Sequence, residues 1–271
     1  MSLVFYPKSH RYKLDGDWVP GVTTITGVLD KSGPLISWAS GLVAEYVADN
    51  REVMEGLWLA GRDPLVAALK KLPEAARKRA AERGTDFHDY AEQIIRGEEV
   101  DVPEDHVPLV ESALAFFADW QIEPVLIETS VASREYAYAG TLDLVADHAN
   151  GPRAIFDWKT GKAIYDSAAW QANGYGAAEF YGADAVSDGT KVTYQGERPM
   201  SDLGIEQAWG IHIRADGYDV YPLHYGPDVF EKFRLIRKLY DINKRARGDW
   251  KVPGSGYVGA AIQRRLEKEI A

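Results

Sequence analysis

The sequence predicts an α/β fold in which a central mixed β-sheet is flanked by helices, with a helical elaboration toward the N-terminus. Three observations carry this. After a short β-rich opening, apolar residues recur near period 3.6 through about residue 120. The period then changes to two, and three strand-like runs follow one another over 125–133, 138–147 and 153–159. Beyond them the pattern alternates helix, two strands, helix, an order expected of one α/β core. A chain of 271 residues is long enough to bury one large core, or a core plus an inserted helical region.

Val4-Phe5-Tyr6 and Tyr12-Lys13-Leu14 flank a polar turn and read as a small β element ending near Asp15-Gly16-Asp17. Thr23 or Thr24 caps a short helix, and Pro34 opens another carrying Trp38, Leu42, Val43 and Val47. Residues 51–72 continue as helix until Pro73, and a further helix runs from about Glu74 to Arg96, with Gly97 as its stop. Phe87, Ala91, Ile94 and Ile95 form its apolar stripe, and another helix spans about Val107 to Trp120. After the three strands a helix covers about Tyr165 to Tyr181, and the polar stretch 183–204 reads as a loop or ragged hairpin. Strands over 205–214 and 218–224 turn at Ala215-Asp216-Gly217, and a long helix covers 227–247. A Pro/Gly linker (248–257) and a short charged helix (258–270) close the chain. The expected division is an elaboration over 1–73, a core over 74–247 and a tail over 248–271, all within one compact unit.

Eight tryptophans and fifteen tyrosines argue against disorder. No run approaches the ~18 consecutive apolar residues of a membrane span, and the N-terminus lacks a basic-then-apolar leader pattern. The absence of cysteine excludes disulfides, zinc–thiolate sites and cysteine-ligated clusters, and a reducing cytoplasm is the expected compartment. The formal net charge of −10 argues against a nucleic-acid partner only as a sum. Residues 62–83 carry seven basic groups against three acids, and 228–251 carry eight against four. Each stretch alone reads as a solvated helix face; together they modestly favour a phosphate-facing surface.

The chemistry concentrates in Asp157-Trp158-Lys159, which closes the apolar run Ala154-Ile155-Phe156. Strand alternation points Ile155, Asp157 and Lys159 one way and Ala154, Phe156 and Trp158 the other. Asp143 sits amid Leu142, Leu144 and Val145 in the preceding strand, where an acid is costly unless paired or metal-bound. A structural ion pair with Lys159 accounts for Asp157 but less well for Asp143. Two acids on neighbouring strands with a lysine two residues on can hold a divalent cation and aim an ammonium at it. Upstream, Gly84-Thr85-Asp86-Phe87-His88 precedes Glu92, which shares a helix face with His88. Alone, His88 reads as an ordinary helix histidine, and Gly84 as a close backbone approach or a helix start. Downstream, Gln171 and Tyr175 share one face of the next helix.

In this order the pieces resemble the RecB-like branch of the PD-(D/E)XK nuclease superfamily, and within it the phage and CRISPR-associated exonucleases. That pattern is Gly-Thr-x-x-His on a helix, Gly-x-x-Asp and Asp/Glu-x-Lys on strands, then Gln-x-x-x-Tyr on a helix. The chain supplies Gly84 to His88, Gly140-Thr141-Leu142-Asp143, Asp157 to Lys159 and Gln171 to Tyr175, so the match covers roughly 80–180. The resemblance implies a restriction-endonuclease-like core and a metal-dependent DNA exonuclease acting in replication, recombination or end processing, in a bacterial or phage-infected cell. A structure-selective endonuclease, or a DNA-binding protein with a decayed site, shares the same motifs. The implied metal ligands are His88, Asp143 and Asp157, with Mg²⁺ or Mn²⁺ as cofactor. Asp143, Asp157 and Lys159 are the implied catalytic set, with Lys159 orienting the attacking water and stabilising developing charge. Gln171, Tyr175 and Glu128 are implied to contact DNA or support the site. DNA is the implied partner, with a recombination or single-strand-annealing protein as a further one and no membrane. The iron–sulfur cluster of many relatives is impossible here, and Asp157 replaces the commoner glutamate.

Overall fold

The computed structural model describes residues 2–247. Its centre is a ten-stranded mixed sheet in the order β10-β9-β6-β5-β4-β7-β8-β1-β2-β3. The strands are β1 (Leu3–Tyr6), β2 (Arg11–Leu14), β3 (Asp17–Val19), β4 (Glu123–Ser133) and β5 (Tyr138–His148). They continue as β6 (Gly151–Lys159), β7 (Phe180–Ser187), β8 (Val192–Pro199), β9 (Gln207–Arg214) and β10 (Gly217–Leu223). All strand pairs are antiparallel except β6 with β9.

Helices cover both faces. On one, α4 (Arg62–Ile95) and α5 (Val107–Trp120) bring Phe87, Ala91, Leu109, Ala113 and Phe116 onto Leu144, Phe156, Trp158 and Ile211. On the other, α1 (Val22–Thr26), α6 (Ser167–Gly176) and α7 (Pro227–Arg247) bring Val22, Ile25, Ala172, Tyr175 and Phe233 onto Val131, Leu142, Val145 and Ile155. Ile155 and Phe156 thus serve opposite cores, as a strand covered on both faces requires. No helix among the described residues is long and apolar enough to cross a membrane.

Four expectations need revision. The helix expected to stop at Pro73 does not: α3 (Arg51–Ala60), which follows α2 (Ser32–Asp49), ends at Gly61, and α4 runs through Pro73 unbroken. Gly61 has φ 104°, a backbone state glycine adopts without penalty, and Pro64 in the first turn of α4 needs no intrahelical donor. Second, Gly84, read as a close backbone approach or a helix start, lies in the middle of α4, where a Cβ would meet only the Thr160 hydroxyl at 3.6 Å. Third, the helix placed over 165–181 ends at Gly176, because Phe180 and Tyr181 enter the sheet beside Ala132 and Val131. Fourth, the stretch read as a loop holds the β7–β8 hairpin, through which β1–β3 join the main sheet by the pairs Leu3↔Tyr194 and Phe5↔Val192. The N-terminal strands are therefore part of the core sheet, and only α2 and α3 stand as an addition. The linker and helix expected over 248–270 lie outside the described residues.

Candidate metal centre and its cleft

The middle of the sheet loosens beside Asp143. The β5–β6 ladder runs from Ala146↔Ala154 to Leu144↔Phe156 and stops one pair short of Asp143 opposite Asp157. There the Trp158 backbone N–H donates to Asp143 Oδ2 at 2.9 Å, so a side chain takes the place of a ladder acceptor. On the other side of β5, the β4 register passes from Ile127↔Leu144 to Thr129↔Leu142, and Glu128 between them has φ 41°. A left-handed residue inside a strand is strained and persists only where its surroundings hold it. The kink belongs to the glutamate side chain that meets the histidine of α4.

His88 Nδ1 lies 3.6 Å from Glu128 Oε1 and 3.6 Å from Asp143 Oδ1. One ligand atom from each of the three residues falls within 4.8 Å of the others. Asp157 stands apart from this group. Its side chain is 2% exposed, and Lys159 Nζ lies 2.5 Å from its Oδ2. The approach is off the direction of a well-formed hydrogen bond, and neither Asp157 oxygen has another partner. The structure thus brings His88 and Asp143 together with Glu128, the residue ranked behind them in the sequence, and seats Asp157 beneath Lys159.

Electrostatics follow from this crowding. Burial opposes charge on His88, but the Asp143 and Glu128 carboxylates outweigh it and raise the imidazole to about 9. Burial raises Glu128 to about 7, with repulsion from Asp143 adding to it and the His88 contact opposing it. Burial also raises the Asp157 carboxyl against the pull of Lys159. The Lys159 ammonium is raised in turn, because Asp157 and Asp143 outweigh its own burial. Two carboxylates held together around a protonated histidine form a cavity suited to a cation of higher charge. One imidazole nitrogen and two carboxylate groups suit Mg²⁺ or Mn²⁺, the nitrogen leaning toward Mn²⁺.

The group opens into a cleft of about 750 Å³. Lys159, Gln171 and Tyr175 line it with the three acid–histidine residues, whereas Asp157 does not. Gln171 Nε2 donates to the Tyr175 hydroxyl at 3.0 Å, and the two act as one unit. Gly140 shows why glycine stands three residues before Asp143: a Cβ there would meet Tyr175 Cε1 at 2.7 Å and Val22 Cγ2 at 2.9 Å. Glu92 also lines the cleft, but pairs with Arg96 at 2.8 Å. A hydroxyl chain not foreseen from the sequence joins Tyr12 to Thr141 and Thr141 to Ser130, both at 3.0 Å. Its only sequence signal is the single hydroxyl residue Thr141, two positions before Asp143.

No family model matches the chain, and no curated protein matches it.

Proposed function

We propose that this protein is a divalent-metal-dependent phosphodiester hydrolase acting on DNA, with a restriction-endonuclease-like core. The observation that supports it most is the approach of His88, Glu128 and Asp143 from one helix and two strands, with Lys159 beside them in the same cleft. Residues 55 positions apart in the chain (88 to 143) meet as a ligand set, and the helix and strand motifs that resemble a nuclease pattern all border one cavity.

In this reading His88, Glu128 and Asp143 hold the cation. When bound, it supplies charge neutralisation at the phosphoryl oxygens and Lewis-acid polarisation of the reacting centre. Asp157 fixes the Lys159 ammonium in orientation. Lys159 then directs its protons toward the cleft, where it orients the attacking water and offsets the negative charge that develops on phosphorus oxygens. Gln171 and Tyr175 donate to the phosphate backbone or brace the lysine. Such contacts position a strand without reading its sequence. We further propose that cleavage proceeds from DNA ends, on the resemblance of the motifs to exonucleases.

The test is cleavage of end-labelled linear, circular and single-stranded DNA with Mn²⁺, Mg²⁺ or EDTA. Linear substrates should be degraded only with metal. Asp143→Asn, Glu128→Gln and Lys159→Met should each lower the rate roughly 10²-fold or more. Full activity in EDTA, or inert wild-type protein on every substrate, refutes the reading. Cutting of closed circles would replace the exonuclease with an endonuclease on the same core.

A further inference from the structure

The cleft extends past the acid–histidine group, and its far wall has a different chemistry. Strand register sets Ser187, Val192, Phe5 and Tyr12 in one row across β7, β8, β1 and β2, and all four line the cleft. Phe5 stacks on Tyr12 with centroids 4.9 Å apart and planes 18° from parallel. His10 lies 5.5 Å from Phe5, exposed, on a left-handed turn at φ 47°. The three rings step outward from buried Tyr12 to half-buried Phe5 to solvent.

Tyr12 ties this wall to the site. Its hydroxyl is 3.0 Å from Thr141 Oγ1, and Thr141 is two residues from Asp143, about 7 Å along a strand. None of the residues that these four strands and the Pro7–His10 turn contribute to the cleft is a lysine, arginine or carboxylate. The strand cations Arg11 and Lys13 lie on the opposite face, where they sit over the Trp18 ring. One cleft therefore joins a strongly polar floor, able to take a phosphate and its cation, to an uncharged aromatic wall. A polymer that alternates phosphates with flat rings matches both. In a duplex the rings are stacked on one another and cannot reach the wall, so its occupant is unpaired.

We infer that the wall formed by Phe5, Tyr12 and His10 is a stacking subsite for an unpaired nucleobase next to the scissile phosphate. Single-stranded DNA, or a frayed or overhanging end, is then the bound form of the substrate. This rests on the phosphodiesterase reading and narrows its substrate. Stacking on aromatic side chains is tolerant of base identity, which fits a site without base-reading groups.

The experiment follows an oligothymidylate carrying one 2-aminopurine, whose fluorescence is quenched on stacking. Wild-type full-length chain binds it in Ca²⁺, beside His10→Ala, Phe5→Leu and the opposite-face control Trp18→Ala. Wild type should quench the probe. His10→Ala and Phe5→Leu should weaken single-strand binding by roughly 5- to 150-fold and reduce quenching. Trp18→Ala should match wild type. Thermal melts accompany each variant; His10 is exposed, so His10→Ala decides if Phe5→Leu does not fold. Unchanged quenching and affinity in His10→Ala, no quenching by wild type, or a larger loss in Trp18→Ala overturns the subsite. Cleavage by wild type in Mn²⁺ is scored separately. Variant-sensitive quenching without cleavage keeps the subsite and removes the hydrolase reading, whereas cleavage with variant-insensitive quenching removes the subsite alone.

Discussion

Replacing Lys159 by methionine tests the electrostatic design at its most exposed point. The substitution keeps the side chain's length and removes the one group that faces the Asp157 carboxylate. Asp157 is 1% exposed, so it cannot turn to water for a partner. Breaking a buried pair by deleting one member costs about 3–5 kcal/mol, because the other charge remains uncompensated. For a chain of this size each kcal/mol moves the melting temperature by about 2–4 °C, so Lys159→Met should melt roughly 6–20 °C lower. The carboxyl can protonate, which gives the loss a pH dependence of known sign. Burial already raises Asp157 in the wild type, and removing Lys159 raises it further. A raised acid contributes stability that is full below its unfolded value, near 3.8, and lost as pH rises through the folded pKa. The deficit should therefore be small near pH 4.5 and grow toward pH 8. Combining Lys159→Met with Asp157→Asn removes the stranded charge, and the lysine substitution should then cost about 1 kcal/mol or less. Urea unfolding of the four proteins of this cycle, in EDTA at both pH values, measures the coupling. Equal cost of Lys159→Met in both backgrounds, or a deficit independent of pH, would refute the reasoning.

Three further outcomes follow from the same geometry. Cation binding must displace the proton held by His88, raised to about 9, and part of that on Glu128, raised to about 7. The Mn²⁺ association constant should thus rise about tenfold per pH unit between pH 7 and 9, with proton release measurable by calorimetry in buffers of different ionisation enthalpy; pH-independent affinity would exclude His88 as a ligand. In EDTA the same groups make stability fall with rising pH, from above 4.5 for Glu128 and from above 6.5 for His88, until each folded pKa is passed, and saturating Mn²⁺ should flatten that decline. Two glycines should respond oppositely to alanine. Gly140→Ala drives a methyl into Tyr175 and Val22 and should cost about 1–3 kcal/mol, whereas Gly84→Ala meets only Thr160 Oγ1 at 3.6 Å and should gain up to about 1 kcal/mol of helix propensity. Equal melting shifts for the two would contradict the packing.

The sequence was legible where periodicity and chemistry agree. Ile155 and Phe156 alternate between two cores as their positions in an apolar run require, and the acid-plus-lysine spacing after them was visible without coordinates. The β7–β8 hairpin was hidden because polar residues and glycines such as Asp184, Gly196 and Glu197 leave only a short stretch of apolar alternation, Val192 and Tyr194. The helix boundary near residue 61 was lost to the louder signal of Pro73, although an α-helix tolerates one missing donor when the rest of its length is well made. The rank of Glu128 was illegible for a different reason. Its reach to His88 depends on a backbone kink inside a strand, and no residue-type preference announces a left-handed glutamate. The converse holds for Asp157, whose spacing to Lys159 is equally compatible with ligation and with the paired arrangement found.

The Asp143 carboxylate is divided between two employers. One oxygen faces His88 across 3.6 Å, and the other closes the seam between the two central strands by accepting the Trp158 amide. Whatever draws both oxygens to itself competes with the sheet for that amide. The Trp158 N–H is therefore a reporter written into the backbone. Its exchange with deuterium should remain slow while Asp143 is engaged through one oxygen, and quicken when both are captured or when the carboxylate is neutralised. Occupancy of the site could then be read at a single peptide group, without a substrate or a label.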